Sequence, residues 1–350
     1  MPKIEAPYKY SNNVLYGTTL NDTITGGYGN DTIYAGGGKN KIYATAGNNL
    51  IFGSDGGDTI YSGTGSDVIR AGNGKDLIYL KAGHNYVFAG AGNDTIHGGS
   101  GNDTIFGGSG SNKINAGGGN NFIYGGSGDD TINGASKGND TIFGGSGNDQ
   151  ICTKGGNNVV FTGSGNNKVY GGSGGDHLVA GSGNNLLKGG NGGDYLWSGI
   201  GGNDTLQGGC KNDVLVGGTL GNNYLQGGSG SDIYVIDFNS GITDNYGTGG
   251  TGYVDSIGYN FIKDTGGACD VLMLCGVNQS DLRYEQMGKY DLKISVVGVE
   301  GYIVIQDHFK TCGRIEEIKF VDTNPYSLPS VNLNVIIADL AANPDPGLWG

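Results

Sequence analysis

Residues Gly98–Phe106 read GGSGNDTIF, and the same nine-residue phrase returns as GGYGNDTIY at Gly26–Tyr34 and as GGSGSDIYV at Gly227–Val235. A fixed period decides architecture ahead of local propensity, because each repeat must fold in the same way as its neighbours. An Asp or Asn occupies position 13 and every ninth residue from there to 130, then 140 through 194, then 204, 213, 223 and 232, giving 25 slots. Two residues after every slot stands an apolar side chain, from Leu15, Ile24 and Ile33 to Leu215, Leu225 and Tyr234. A three-residue strand with its middle side chain inward, followed by a Gly-rich turn of positive φ, explains both the β-branched residue and the glycines.

Fifteen slots hold Asp: Asp22, Asp31, Asp58, Asp67, Asp76, Asp94, Asp103, Asp130, Asp140, Asp149, Asp176, Asp194, Asp204, Asp213 and Asp232. The other ten hold Asn: Asn13, Asn40, Asn49, Asn85, Asn112, Asn121, Asn158, Asn167, Asn185 and Asn223. Up to residue 232 only Glu5, Asp55 and Asp129 are acids outside the slots, so the negative charge there is almost wholly periodic. The chain of 350 residues has 75 Gly, a net charge of -13 and 36% hydrophobic residues, a composition too apolar and too weakly charged for disorder. An acidic chain without clustered Lys and Arg excludes a nucleic-acid partner. No run of eighteen apolar residues predicts a transmembrane segment, and MPKIEAPYKYSNN has no basic start with an apolar stretch behind it, so no conventional signal peptide is expected.

The pattern G-G-x-G-x-D-x-U-x over roughly residues 10 to 237 resembles the RTX family of calcium-binding nonapeptide repeats. The resemblance implies an all-β chain: a parallel β-roll solenoid with 18 residues per coil. Multiple Ca²⁺ ions would sit between the turns of repeats n and n+2, held by the fifteen slot Asp carboxylates and by turn carbonyls. Ca²⁺ takes six to eight oxygens in flexible geometry, which suits exposed carbonyls joined by one or two carboxylates. Unpaired carboxylates stacked about 4.8 Å apart would otherwise repel one another. Of the 23 gaps between successive coils, 6 lie between two Asp, 16 between Asp and Asn, and 1 between Asn167 and Asn185. Occupancy is expected in that order and in fewer gaps than 23; amide ladders without metal are the alternative for the mixed gaps.

Alternate slots fall on alternate sheets, and the outward residues differ between them. One sheet presents Tyr16, Tyr34, Phe52, Phe88, Phe106, Tyr124, Phe143, Phe161 and Trp197, whereas the other is largely Thr, Lys, Asn and Gln. Thirteen strands make a ladder of about 60 Å, longer than the apolar patch a soluble monomer tolerates. This predicts an interaction face whose partner is another copy of the chain, with cell-surface polysaccharide as a further candidate partner. Stacking that merely favours strand formation is the plainer reading.

After Asp232 the nine-residue period stops, and residues 238–325 alternate in short runs that predict an antiparallel β-rich cap. Asp270–Val297 and Arg314–Asp322 resemble the haemolysin-type domain that follows such repeats, and a solenoid end requires a cap. The expected domains are therefore a roll over 1–237, a cap over 238–325 and a tail over 326–350. The family resemblance makes that tail a candidate type I secretion signal and the protein a secreted or cell-surface one. An odd count of 5 Cys leaves a free thiol or an intermolecular bridge. No H-E-x-x-H occurs, GGSGG at Gly171–Gly175 is a product of the repeat, and so are the N-x-T sequons at Asn30, Asn93, Asn102, Asn139 and Asn203. No enzyme is expected. The function read from the sequence is a secreted structural protein that folds on calcium and self-associates. The alternatives are a module of an extracellular enzyme, or an ice- or ligand-binding roll.

Overall fold

The computed structural model describes residues 1–218, 220–237, 256–264, 270–306, 308, 315, 317–321 and 330–332. The chain divides into two compact units, Met1–Gly174 and Gly175–Gly350. In the first, strands alternate between two parallel ladders. One contains Tyr86–Ala91, Thr104–Ser109 and Phe122–Ser127 in direct succession, and the other contains Thr95–His97, Lys113–Asn115 and Thr131–Asn133. Register is one coil throughout, as in Ile105 against Ile123 and Ile114 against Ile132. Each coil is thus two nonapeptides, and every middle residue of a strand points between the sheets.

The core is the column of these residues. Ile24, Ile33, Ile60, Ile105 and Ile142 are fully buried, and burying each such side chain contributes roughly 1.5–3 kcal/mol. The glycines follow from close approach between coils. In the repeat Gly144–Cys152, Gly145 and Gly147 have φ of +112° and +127°. A Cβ on either would overlap the carbonyl of Gly126 or Gly128 one coil away.

In the second unit the parallel ladders run past residue 237. Ile233–Asp237 pairs in parallel with Val271–Cys275, which pairs in parallel with Glu317–Val321. Tyr224–Ser229 pairs with Ser256–Lys263, and that strand with Glu300–Gln306. Antiparallel pairing is confined to Leu282–Met287 with Asp291–Val296, the latter with Glu300–Gln306, and Ser330–Asn332 with Glu317–Val321. The antiparallel cap expected from 238 therefore begins later. The reason is that Ile262 pairs with Leu225 and Leu272 with Tyr234, so both continue the buried inward residues of the roll. Most of the tail, 326–350, lies outside the described residues, as do Cys269 and Cys312; Cys152 and Cys210 are free thiols.

Two features depart from a strictly apolar and a strictly polar face. Arg70 interrupts the aromatic ladder with its guanidinium over Phe88. On the other sheet Tyr43, Tyr61, Tyr79 and His97 stack in line with ring centroids 5.0, 5.0 and 4.8 Å apart.

Replacing Ile105 with Ala is expected to lower the stability of the calcium-loaded protein by about 2–5 kcal/mol, because the coil cannot collapse around the cavity. Urea denaturation measures this, and an unchanged midpoint would remove the column from the core.

Candidate metal centre

The slot side chains point inward at the turns, and Asp and Asn alike are buried. One oxygen of each is used in the same way. The backbone N–H of Asp58 donates to Asp76 Oδ1 at 2.6 Å, Asp76 to Asp94 at 2.7 Å, and Asp194 to Asp213 at 2.8 Å. The residue before each slot builds a second ladder in the opposite sense: Asn48 N–H donates back to Asn30 Oδ1 at 2.7 Å, and Asn120 to Asn102 at 2.8 Å. Asn148 and the N-x-T asparagines at 21, 30, 93, 102, 139 and 203 all accept such a bond, which is why the turns select Asn there.

The second carboxylate oxygen is left over. Oδ2 of Asp31, Asp58, Asp76, Asp94, Asp103, Asp130, Asp149, Asp194, Asp213 and Asp232 is buried with no hydrogen-bond donor. It faces acceptors instead. Beside Gly53 the Oδ2 of Asp58 and the carbonyl of Ala71 border one space, as do Asp103 Oδ2 and Ala116 O beside Gly98, and Asp149 Oδ2 and Thr162 O beside Gly144. A Cβ on any of these glycines would overlap both oxygens. A buried space walled by carboxylate and carbonyl oxygens, whose Oδ2 atoms receive no N–H, suits a hard cation and no neutral ligand.

Burial makes the ionised form costly. Desolvation pushes Asp76 up to about 7, with the carboxylates of Asp94 and Asp58 adding to it against the N–H donated by Asp58. Desolvation likewise pushes Asp213 up to about 7, reinforced by Asp194 and Asp232. Asp103, with Asn on both sides, is raised by burial only to about 6. At Asp67 the Ser62 hydroxyl offsets part of the rise that burial causes.

The Asn slots meet no such difficulty. Asn49 Nδ2 donates to the turn carbonyl of Gly47 at 2.9 Å and to Asp67 Oδ1 at 2.9 Å. Asn85 donates to Asp103 Oδ1 at 2.8 Å and Asn121 to Asp140 Oδ1 at 2.9 Å. An amide–carboxylate bond thus already closes these mixed gaps. Two of the expected Asp ligands are also satisfied by donors. Asp22 Oδ2 receives the N–H of Thr18 at 2.6 Å together with its hydroxyl, and Asp140 Oδ2 receives the N–H of Ala135 at 2.8 Å. Both turns depart from the Gly-Gly consensus, which frees a backbone donor to turn inward. Asp204 Oδ1 accepts both the N–H and the amide of Asn185, and Asp176, also buried, donates its N–H to Asp194.

A signal in the sequence separates the two kinds of slot. Where the slot is Asn, the residue five positions earlier is usually a side chain, as in Ala35, Ala44, Leu80, Ala116, Thr153, Thr162 and Ala180. Where it is Asp, that residue is usually Gly, with Ser62, Ala71, Ala89 and Ala135 the exceptions. The side chain occupies the space that the Asp turns keep open. Two further slot residues lie beyond the period. Asn260 accepts from Asn223 Nδ2 at 3.2 Å, and Asp270 Oδ1 accepts the N–H of Asp232 at 2.6 Å, although 37 and 38 residues separate the partners.

A profile of the RTX calcium-binding nonapeptide repeat matches residues 16–51, 52–87, 81–114, 106–136, 135–160, 153–184, 170–201 and 198–234. The chain belongs to this RTX repeat family. It is a calcium-binding β-roll protein. No curated protein matches the chain. Among solved structures, an extracellular lipase from Serratia marcescens aligns at 16% identity and a TM-score of 0.17 over 62% of this chain and 38% of the lipase, so the chain spans well under two thirds of that protein. Among the described residues no helix is long and apolar enough to cross a membrane.

The outward aromatics of the RTX roll lie where the repeat puts them. In the first unit Tyr16, Tyr34 and Phe52 stack with centroids 5.2 and 4.9 Å apart, Phe88 stacks on Phe106 at 5.0 Å, and Phe143 on Phe161 at 5.1 Å. Tyr16, Tyr34, Tyr124 and Phe161 are exposed; Phe52, Phe88, Phe106 and Phe143 are half-buried. In the second unit Trp197 is half-buried between Val179 and Val216 on the adjacent strands, with its indole nitrogen buried.

Calcium-stripped protein should show an inverted pH dependence. The folded roll holds protons on Asp76 and Asp213 up to about 7, whereas Asp in an unfolded chain titrates near about 4. The stabilisation from protonation is full below about pH 4 and is lost as pH rises through about 7. Circular dichroism of the stripped chain is expected to show more sheet at about pH 5 than at about pH 8, with calcium abolishing the difference. Sheet content that grows with pH in the absence of calcium would contradict it. Asp213→Asn is expected to stabilise the stripped protein and weaken calcium binding, read from the same spectra and from calorimetry.

Proposed function

We propose that the protein is a secreted structural component that folds when it meets calcium and then associates with copies of itself through its aromatic sheet. The observation that carries the folding half is the row of buried Oδ2 atoms without donors. In the cation-free chain they oppose folding, and an ion that binds only the folded state shifts the equilibrium by mass action. The ions go to the Asp turns that keep the Gly cradle open, those of Asp31, Asp58, Asp103, Asp130, Asp149, Asp176, Asp194 and Asp213. Turns closed by an Asn amide stay empty, and so do those of Asp22 and Asp140. The bound ions are then several per chain but well short of one per gap.

The association half is supported by the run of outward rings from Tyr16 to Phe161, interrupted only by Arg70. The rings stack at the strand spacing over Tyr16–Phe52, Phe88–Phe106 and Phe143–Phe161 and tilt around Tyr124, an apolar strip with little side-chain entropy left to lose on docking. The same strip on a second copy is complementary to it. No catalytic constellation is assigned, and the protein acts as a binding and scaffolding component without an enzymatic activity of its own.

Negative-stain microscopy and sedimentation of the full chain are expected to show calcium-dependent filaments or sheets. Changing Tyr34, Phe106 and Tyr124 together to Ser should disperse them while leaving the calcium-induced circular dichroism intact. Monomers at high concentration in millimolar calcium would overturn the association, and full β structure in excess chelator would overturn calcium-driven folding.

A further inference from the structure

The last nonapeptide slot lies against carboxylates from outside the repeat. Asp264 follows the strand Ser256–Lys263, Asp270 precedes Val271–Cys275, and Asp232 precedes Ile233–Asp237. One carboxylate oxygen from each lies within 4.8 Å of the other two. All three residues are buried, at 0% exposure for Asp232 and Asp270 and 3% for Asp264. The ladder bond from Asp232 N–H to Asp270 Oδ1 joins two of them, while Asp232 Oδ2 is buried without a donor.

A phenol completes the arrangement. Tyr234 is the single inward strand residue of the repeat array that is not Ile, Leu or Val, and it is fully buried. Its hydroxyl accepts the N–H of Gly227 at 2.8 Å. A Cβ on Gly227 would overlap both that hydroxyl and Asp232 Oδ2, so the two oxygens border one space. An aliphatic side chain at 234 would leave this space without its neutral oxygen.

We propose that Asp232, Asp264 and Asp270 form a separate calcium site that closes the C-terminal end of the repeat array. Three carboxylates bring more negative charge than any pair of slots, and calcium affinity rises with the number of charged ligands. The site therefore fills before the repeats. It also ties Asp264, at the end of the strand Ser256–Lys263, to the last slot, where the nine-residue period stops and the ladders continue on the strands that follow. All-oxygen ligands exclude a preference for zinc or copper. The choice of ion rests on the calcium chemistry of the repeats, and the site itself rests on its own carboxylates.

Calorimetric titration of the calcium-stripped full chain tests this against two variants. Asp264→Asn is expected to lose one ion per chain and to weaken the tightest class of binding by about tenfold or more, whereas Asp58→Asn leaves the tightest class in place. Unchanged ion count and affinity in Asp264→Asn would overturn the site, whatever the repeats bind. A wild-type chain that binds a single ion, lost in Asp264→Asn, would uphold the site and overturn the filling of the repeat turns. Should Asp264→Asn fail to fold, terbium luminescence excited through tyrosine decides on a chain that keeps all three carboxylates. Tyr234→Phe is expected to remove more than half of the emission from the first equivalent of terbium, and unchanged emission would overturn the site.

Discussion

The structure depends on a mismatch between donors and acceptors at the turns. Each coil turns through glycines that lie close against carbonyls of the neighbouring coils, and the slot carboxylate adds two more acceptors there. The backbone N–H of the preceding slot satisfies one carboxylate oxygen, and no donor remains for the other at most Asp turns. An unpaired buried carboxylate oxygen is costly unless it is protonated or faces a cation. The cation-free roll is therefore held back at the very positions that repeat most faithfully, and calcium supplies what the chain lacks.

The remaining regularities follow from that space. Glycine stands five residues before most Asp slots, where a Cβ, as at Gly53 and Gly144, would overlap the carboxylate and the carbonyl opposite it. Asn relieves the constraint by bringing its own donors, as at Asn49 and Asn85, and the glycine can then become Ala, Leu or Thr. Interposed Asn also keeps carboxylates apart. Asp76, between two Asp, is pushed higher by burial and neighbouring charge than Asp103, between two Asn. The alternation of Asp and Asn along the first unit thus moderates repulsion within a row of buried acids.

Much of this was legible in the sequence, because a nine-residue period constrains each repeat in the same way. The slots, the inward Ile column and the outward aromatics all sit at positions that simple counting assigns. Counting lost the ladder where insertions broke the period. Asn260 and Asp270 occupy slots 37 and 38 residues beyond their partners, a spacing that no fixed period would find. It also could not see that Thr18 and Ala135 turn their N–H groups onto Asp22 and Asp140, since that depends on how an irregular turn folds. The Tyr43–Tyr61–Tyr79–His97 stack was present in the sequence but was masked by the polar residues around it.

The sequence by itself determined the parallel roll, the identity of the buried column and the family's ion, because period and side-chain alternation leave no freedom in where a residue points. Only the tertiary structure decided which oxygens of that ladder are already paired and which face open space. It also placed Asp264 beside Asp232 and Asp270. Hydrogen-bond partnership depends on distances and angles between coils, and neither is encoded in spacing along the chain.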